Sequence, residues 1–140
     1  MILKVNIKQI GQRKQKVAPV DFKLVKTPNT VRELIEFTVE KCVNEYNERV
    51  RAGDTNIKPL SESDIRDMAD IGKIAFGITY GEKEQDLGKA VENALQSFED
   101  GIYRVFVNDE QLEKLDDTVN LSENDSLTFI RLTMLSGRMW

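Results

Sequence analysis

Few residues in this chain could do chemistry, and the missing types narrow its function more than those present. Its 140 residues include no histidine and a single cysteine, Cys42. Ser-His and Cys-His nucleophilic pairs therefore cannot be assembled, nor can zinc sites that draw on imidazole or several thiolates. Cys42 falls on the apolar stripe of a helical pattern and reads as a small buried hydrophobe, whereas a nucleophile would need an exposed, electropositive setting. Gly72, Gly77 and Gly81 in GKIAFGITYG match neither the phosphate-loop spacing nor the dinucleotide fingerprint, and no Lys-Ser/Thr pair follows. They read as a loop with turn requirements, with Phe76 and Tyr80 packing that segment onto the core. Glu82, Glu84, Asp86, Glu110, Asp116, Asp117, Glu123 and Asp125 lack the spacing of a calcium loop and read as solvated surface. No catalytic residue, metal or cofactor is expected.

Charge removes a further class. A formal net charge of -4 and a pI near 5.0 repel a phosphate backbone unless basic residues gather on one face. The one dense basic cluster, Arg13, Lys14 and Lys16, sits between two strand-like segments and reads as a hairpin tip. Nucleic acid is rejected as the main partner. No apolar run approaches bilayer length, so no membrane partner is expected either. The opening MILKVNIKQI alternates too strictly and carries too much charge for a signal peptide; with the lone cysteine, it points to a reducing cytoplasm.

The elements that must position any site follow from periodicity. Leu3, Val5 and Ile7 alternate with polar residues as in a half-buried strand, and Val20, Phe22 and Leu24 supply its hairpin partner. Thr30 with Glu33 forms a capping box, and an apolar stripe from Val31 to Val50 predicts a helix running to about Ala52, stopped by Gly53. Residues 53–100 hold a polar linker, a short helix candidate opening at Ser61, the glycine stretch and a marked helix. That last helix is capped by Asp86, striped by Leu87, Ala90, Val91, Ala94, Leu95 and Phe98, and ended by Gly101. Strands are predicted over Ile102 to Val107 and Ser126 to Met134, with Asn108-Asp109 as turn residues between them.

This strand-strand-helix-strand-strand order looks like the β-grasp, in which a mixed sheet wraps one central helix. The local letters agree. YRVFVNDEQLE, residues 103–113, resembles the third strand and following turn of ubiquitin through Arg104, Gln111, Leu112 and Glu113. Asp117-Thr118-Val119 resembles a connecting turn of the ubiquitin-like superfamily, and SLTFIRLTMLSG, residues 126–137, is similar to its last strand and tail. The expected fold is α+β, one ubiquitin-like β-grasp domain over residues 1–140 with a helical insertion at 53–100. The resemblance implies that Val105, Val107, Thr128, Ile130 and Leu132 point inward. It puts Phe106, Phe129 and Arg131 on the outer sheet face that the family often uses for partners. The family's diglycine end is here Ser136-Gly137, and Arg138, Met139 and Trp140 extend beyond it.

Two phenylalanines on an outer face would form an exposed patch unless the insertion covers them, and coverage is expected. Met134, Leu135 and Trp140 make an apolar tail that either folds back or enters a partner's groove, the latter being favoured. Three functions follow. The leading one is a non-enzymatic adaptor that binds another protein through Phe106, Phe129, Arg131, Met134, Leu135 and Trp140. The second is a modifier precursor processed after Gly137. The third is a small-molecule binder or enzyme that uses the insertion. No residue pattern specifies the partner or an oligomeric state.

Overall fold

The first hairpin forms where the alternation places it. In the computed structural model, which describes residues 1–9, 19–53, 67–76 and 84–132, β1 (Ile2–Gln9) pairs antiparallel with β2 (Val20–Lys23). Leu3 lies opposite Phe22 and Val5 opposite Val20, and all four side chains are buried. The basic tip at Arg13, Lys14 and Lys16 lies outside the described residues. Helix α1 (Val31–Arg51) starts at the predicted cap: Thr30 Oγ1 accepts from the Glu33 amide at 3.2 Å, and Glu33 Oε1 accepts from the Asn29 amide at 2.8 Å. Ala52 caps its end, and Gly53 takes φ +81°, a left-handed conformation that favours glycine.

Beyond α1 come α2 (Met68–Ala75), α3 (Leu87–Glu99), β3 (Tyr103–Val107), β4 (Glu110–Leu112) and β5 (Ser126–Arg131). The reading from periodicity missed β4, which is only 3 residues long and carries no alternation of its own. It exists because Asn108, at φ 54°, turns the chain back so that Val107 pairs with Glu110 and Val105 with Leu112. The opening of the helix candidate at Ser61 lies outside the described residues; among the described ones α2 starts at Met68, capped by the Asp67 carboxylate. Gly72 belongs to α2 rather than to a loop; Gly77, Tyr80 and Gly81 are outside the described residues.

The strands make one 5-stranded mixed sheet in the order β2-β1-β5-β3-β4, with β1 and β5 parallel in the centre. The architecture is α+β and compatible with a β-grasp. α1 lays Val31, Leu34, Ile35, Val39, Cys42 and Val43 into a core shared with Leu3, Val5, Val105, Leu127 and Phe129, all essentially inaccessible to water. Each such side chain contributes roughly 1.5–3 kcal/mol by burial. No described helix is long and apolar enough to cross a membrane.

The helices of the insertion join α1 on this inner side. Phe76, just past α2, meets the rings of Tyr103 and Phe129 edge-on, with centroids 5.2 Å away in each case. The Tyr103 hydroxyl donates to the Ala94 carbonyl of α3 at 2.7 Å. Polar contacts with α1 add to the docking. Arg49 reaches Asp67 at 2.6 Å and Asp70 at 3.0 Å, the Met68 amide donates to Glu45, and the Asn47 side chain both donates to and accepts from the Gln85 backbone. For the described part of the insertion, the expectation that it covers the outer sheet face is therefore corrected: α2 and α3 widen the inner layer. Their apolar stripes find the aromatic end of the core, where Tyr103 and Phe129 would otherwise face water.

Candidate functional site

Along β5 the alternation is ambiguous, because both parities of Ser126–Arg131 carry apolar residues. Pairing resolves it. Val105 of β3 is buried and faces Phe129 directly across the ladder, so Phe129 and Leu127 share the inner face with it. Phe129 is wholly buried, which corrects its expected place on the outer face; Thr128 and Ile130 turn outward instead of inward. Arg131 is corrected likewise. Its guanidinium donates to the Ala75 carbonyl at 3.1 Å, placing a cation at the C-terminal end of α2, where unpaired carbonyls favour positive charge. Phe106 keeps its predicted position, opposite Thr128 and Gln111 on the outer face and only partly covered. Met134, Leu135, Ser136, Gly137 and Trp140 lie outside the described residues.

The outer face is a surface on which no described element packs. Registers set its side chains in rows: Lys8, Ile130 and Arg104 in one, Asn6, Thr128, Phe106 and Gln111 in the next, Asp21, Lys4 and Ser126 beyond. Phe106 and Ile130 are diagonal neighbours across β3 and β5, a relation that puts side chains roughly 7–8 Å apart at their bases, within reach of an aromatic ring. Lys8 and Arg104 are exposed on either side of Ile130 in its row. Toward β2, the Lys4 ammonium meets Asp21 at 2.6 Å and Lys23 stands exposed. Lys4, Lys8, Lys23 and Arg104 are thus set against Asp21 and Asp109, on a chain whose net charge is -4. On this face cations outnumber carboxylates, the reverse of the chain as a whole.

A depression of ≈ 400 Å³ on the same face is lined by Asn6, Lys8, Asn108, Asp109, Ser126 and Thr128. Its floor is fixed by the β3–β4 turn, where Asn108 Oδ1 accepts from the Ser126 amide at 3.1 Å and its backbone amide donates to the Ser126 carbonyl at 2.7 Å. The depression offers amide, hydroxyl and ammonium groups together with the Asp109 carboxylate, and the Arg104 guanidinium stands on the same face; the donors and cations suit recognition of carboxylates by hydrogen bonds and charge.

The buried charges lie on the other side of the sheet. Asp70 is 1% exposed and Lys73 4%. Burial works against the charge on Arg49, but its ion pairs with Asp70 and Asp67 outweigh that cost and hold the guanidinium more firmly charged than usual. The Lys73 ammonium sits 5.8 Å from the centre of the Tyr46 ring. Burial, reinforced by the nearby Glu45 and Asp67 carboxylates, pushes the Cys42 thiol well above its ordinary range and so keeps it unreactive at neutral pH. Sequence reasoning puts Arg49 on the water-facing side of α1, which its pairing with Asp67 and Asp70 corrects, and it passed over those two carboxylates; Asp67 and Asp70 three residues apart is a cap signature that pointed to α2. Comparison with family models, with curated proteins and with solved structures finds no match for this chain.

Proposed function

We propose that this chain is a ubiquitin-like β-grasp module that works by binding another protein, an adaptor whose docking surface is the outer face of the sheet. The observation that carries the reading is the outer face itself: Phe106 and Ile130 at its centre, Lys8 and Arg104 beside them, and no described helix over it. Partly covered apolar side chains ringed by charge make a small anchor with a polar rim, the layout in which aromatic and arginine residues contribute most to binding. The ubiquitin-like assignment is supported by the strand order, by the parallel central pair and by the helix that follows the first hairpin. The partner presents carboxylates around an apolar residue, because the cations and the Phe106–Ile130 pair call for both.

The test is affinity capture from the native cell with a photo-crosslinking residue introduced at Gln111, beside Phe106. Phe106→Ala and Arg104→Glu should each lower the yield of the crosslinked partner by roughly tenfold or more. Glu92→Lys on the exposed side of α3 should leave it unchanged. Equal yields from all three variants would overturn the outer face as the docking surface.

A further inference from the structure

Among the described residues β2 is an edge of the sheet, and the side that no described strand pairs with is defined by the pairing on its other side. The Leu24 amide donates to the Met1 carbonyl, so in the ladder with β1 the bonded positions of β2 are Leu24, Phe22 and Val20. The Lys4 amide confirms this parity, since it turns away from β2 and donates to the Asp125 carbonyl. The backbone N–H and C=O groups of Asp21 and Lys23 therefore point outward, off the open edge of the sheet. Their side chains stand on the outer face and both are exposed. Beside the edge, a groove of about 510 Å³ between β2 and α1 is lined by Phe22, Leu24, Val25 and Phe37 among others, and Val25 is 94% exposed.

We propose that this edge pairs with the β2 edge of a second copy of the chain, joining two sheets about a two-fold axis through Phe22. Two-fold antiparallel pairing can align outward-pointing residues in only a few registers. Centred on Asp21 it opposes two carboxylates, and centred on Lys23 it opposes two ammonium groups. Centred on Phe22 it sets Asp21 of each copy opposite Lys23 of the other, in hydrogen-bonded pairs, twice by symmetry. Opposite charges directly across a ladder stabilise and like charges destabilise, so this edge carries its own register instruction. In that register Val25 of one copy comes opposite Pro19 of the other, which immediately precedes the strand and has no amide hydrogen to leave unpaired. The axis is perpendicular to the sheet, so the two outer faces lie on the same side as one continuous surface. The two copies thereby offer an acidic partner two equivalent sites, whichever residues that partner uses.

Sedimentation equilibrium over a range of concentrations tests this, with far-UV circular dichroism to show that each variant is folded. The wild-type mass should rise from 16.0 kDa toward twice that value as concentration increases. Lys23→Asp and Asp21→Lys, each alone, replace both attractive pairs by repulsive ones and should weaken self-association by about tenfold or more. An equimolar mixture of the two variants restores opposite charges at both pairs and should dimerise again as a heterodimer. A wild-type chain that stays monomeric at millimolar concentration overturns the proposal and leaves the edge to a strand of another protein. Self-association that ignores both substitutions overturns it as well, since the contact would then lie elsewhere.

Discussion

The two faces of the one sheet have opposite chemistry. On the inner face Leu3, Val5, Val105, Leu127 and Phe129 are sealed beneath α1 and the insertion, and the charges that enter there, Arg49 with Asp67 and Asp70, are held in short ion pairs. On the outer face, from the same strands at alternate positions, Phe106 and Ile130 stay partly uncovered and the cations Lys8, Lys23 and Arg104 stand in solvent. The contrast teaches that similar residues can serve stability or recognition, depending on which parity of a strand they occupy. Phe129 and Phe106 make the cleanest pair: two phenylalanines on neighbouring strands, one wholly enclosed and one partly exposed.

The largest expected effect breaks the inner face. Phe129→Ala removes a ring packed against Phe76 and Tyr103 and should cost about 3–5 kcal/mol in denaturant unfolding, whereas Phe106→Ala should cost under about 1 kcal/mol. Similar losses from both would erase the distinction between the faces. Asp70→Ala comes next. It leaves Arg49 beside α2 with only Asp67, and removing one partner of a buried pair typically costs about 3–5 kcal/mol; Asp67 retains part of the interaction, so about 2–3 kcal/mol is expected. Asp116→Ala, whose partner Arg32 on α1 is exposed, is the solvent-exposed control and should cost under about 1 kcal/mol.

A smaller effect reads the same contrast through pH. Burial holds the Cys42 thiol above its ordinary 9.0 and the Tyr103 hydroxyl above its ordinary 10.0. In both cases the folded state keeps a proton that the unfolded chain releases. Their stabilisation is therefore complete below pH 9 and falls as pH rises, first from Cys42 and above pH 10 from Tyr103 as well, by about 1.4 kcal/mol per pH unit for each group. Cys42→Ala should flatten the decline in unfolding free energy between pH 9 and 10. An unchanged slope would mean that the thiol titrates in the folded protein as it does in water.

How much of this was legible in the sequence depended on how local the signal was. Asp86 as the cap of α3 and Gly101 at its end, with φ +76°, were readable because a cap or a stop needs only its own neighbours. β4 was not, since a three-residue strand exists only through its pairing with β3. Phe129 and Arg131 were assigned to the wrong face for a related reason: Leu127, Phe129 and Ile130 give both parities of β5 apolar members. Within the strand itself nothing ranks one parity above the other.

The amino-acid order by itself determined the hairpin of β1 and β2, the length and buried stripe of α1, and the absence of any histidine-based chemistry. Those are consequences of periodicity, capping and composition, which act over a few residues. Tertiary structure alone decided which face of β5 is inside, that α2 and α3 lie beside α1 rather than over the outer face, and that the cations Lys4, Lys8, Lys23 and Arg104 come to share one surface. These depend on contacts between residues as far apart as Arg131 and Ala75 or Arg49 and Asp70. Such contacts form only when several elements are packed at once, and no single stretch of the chain encodes them.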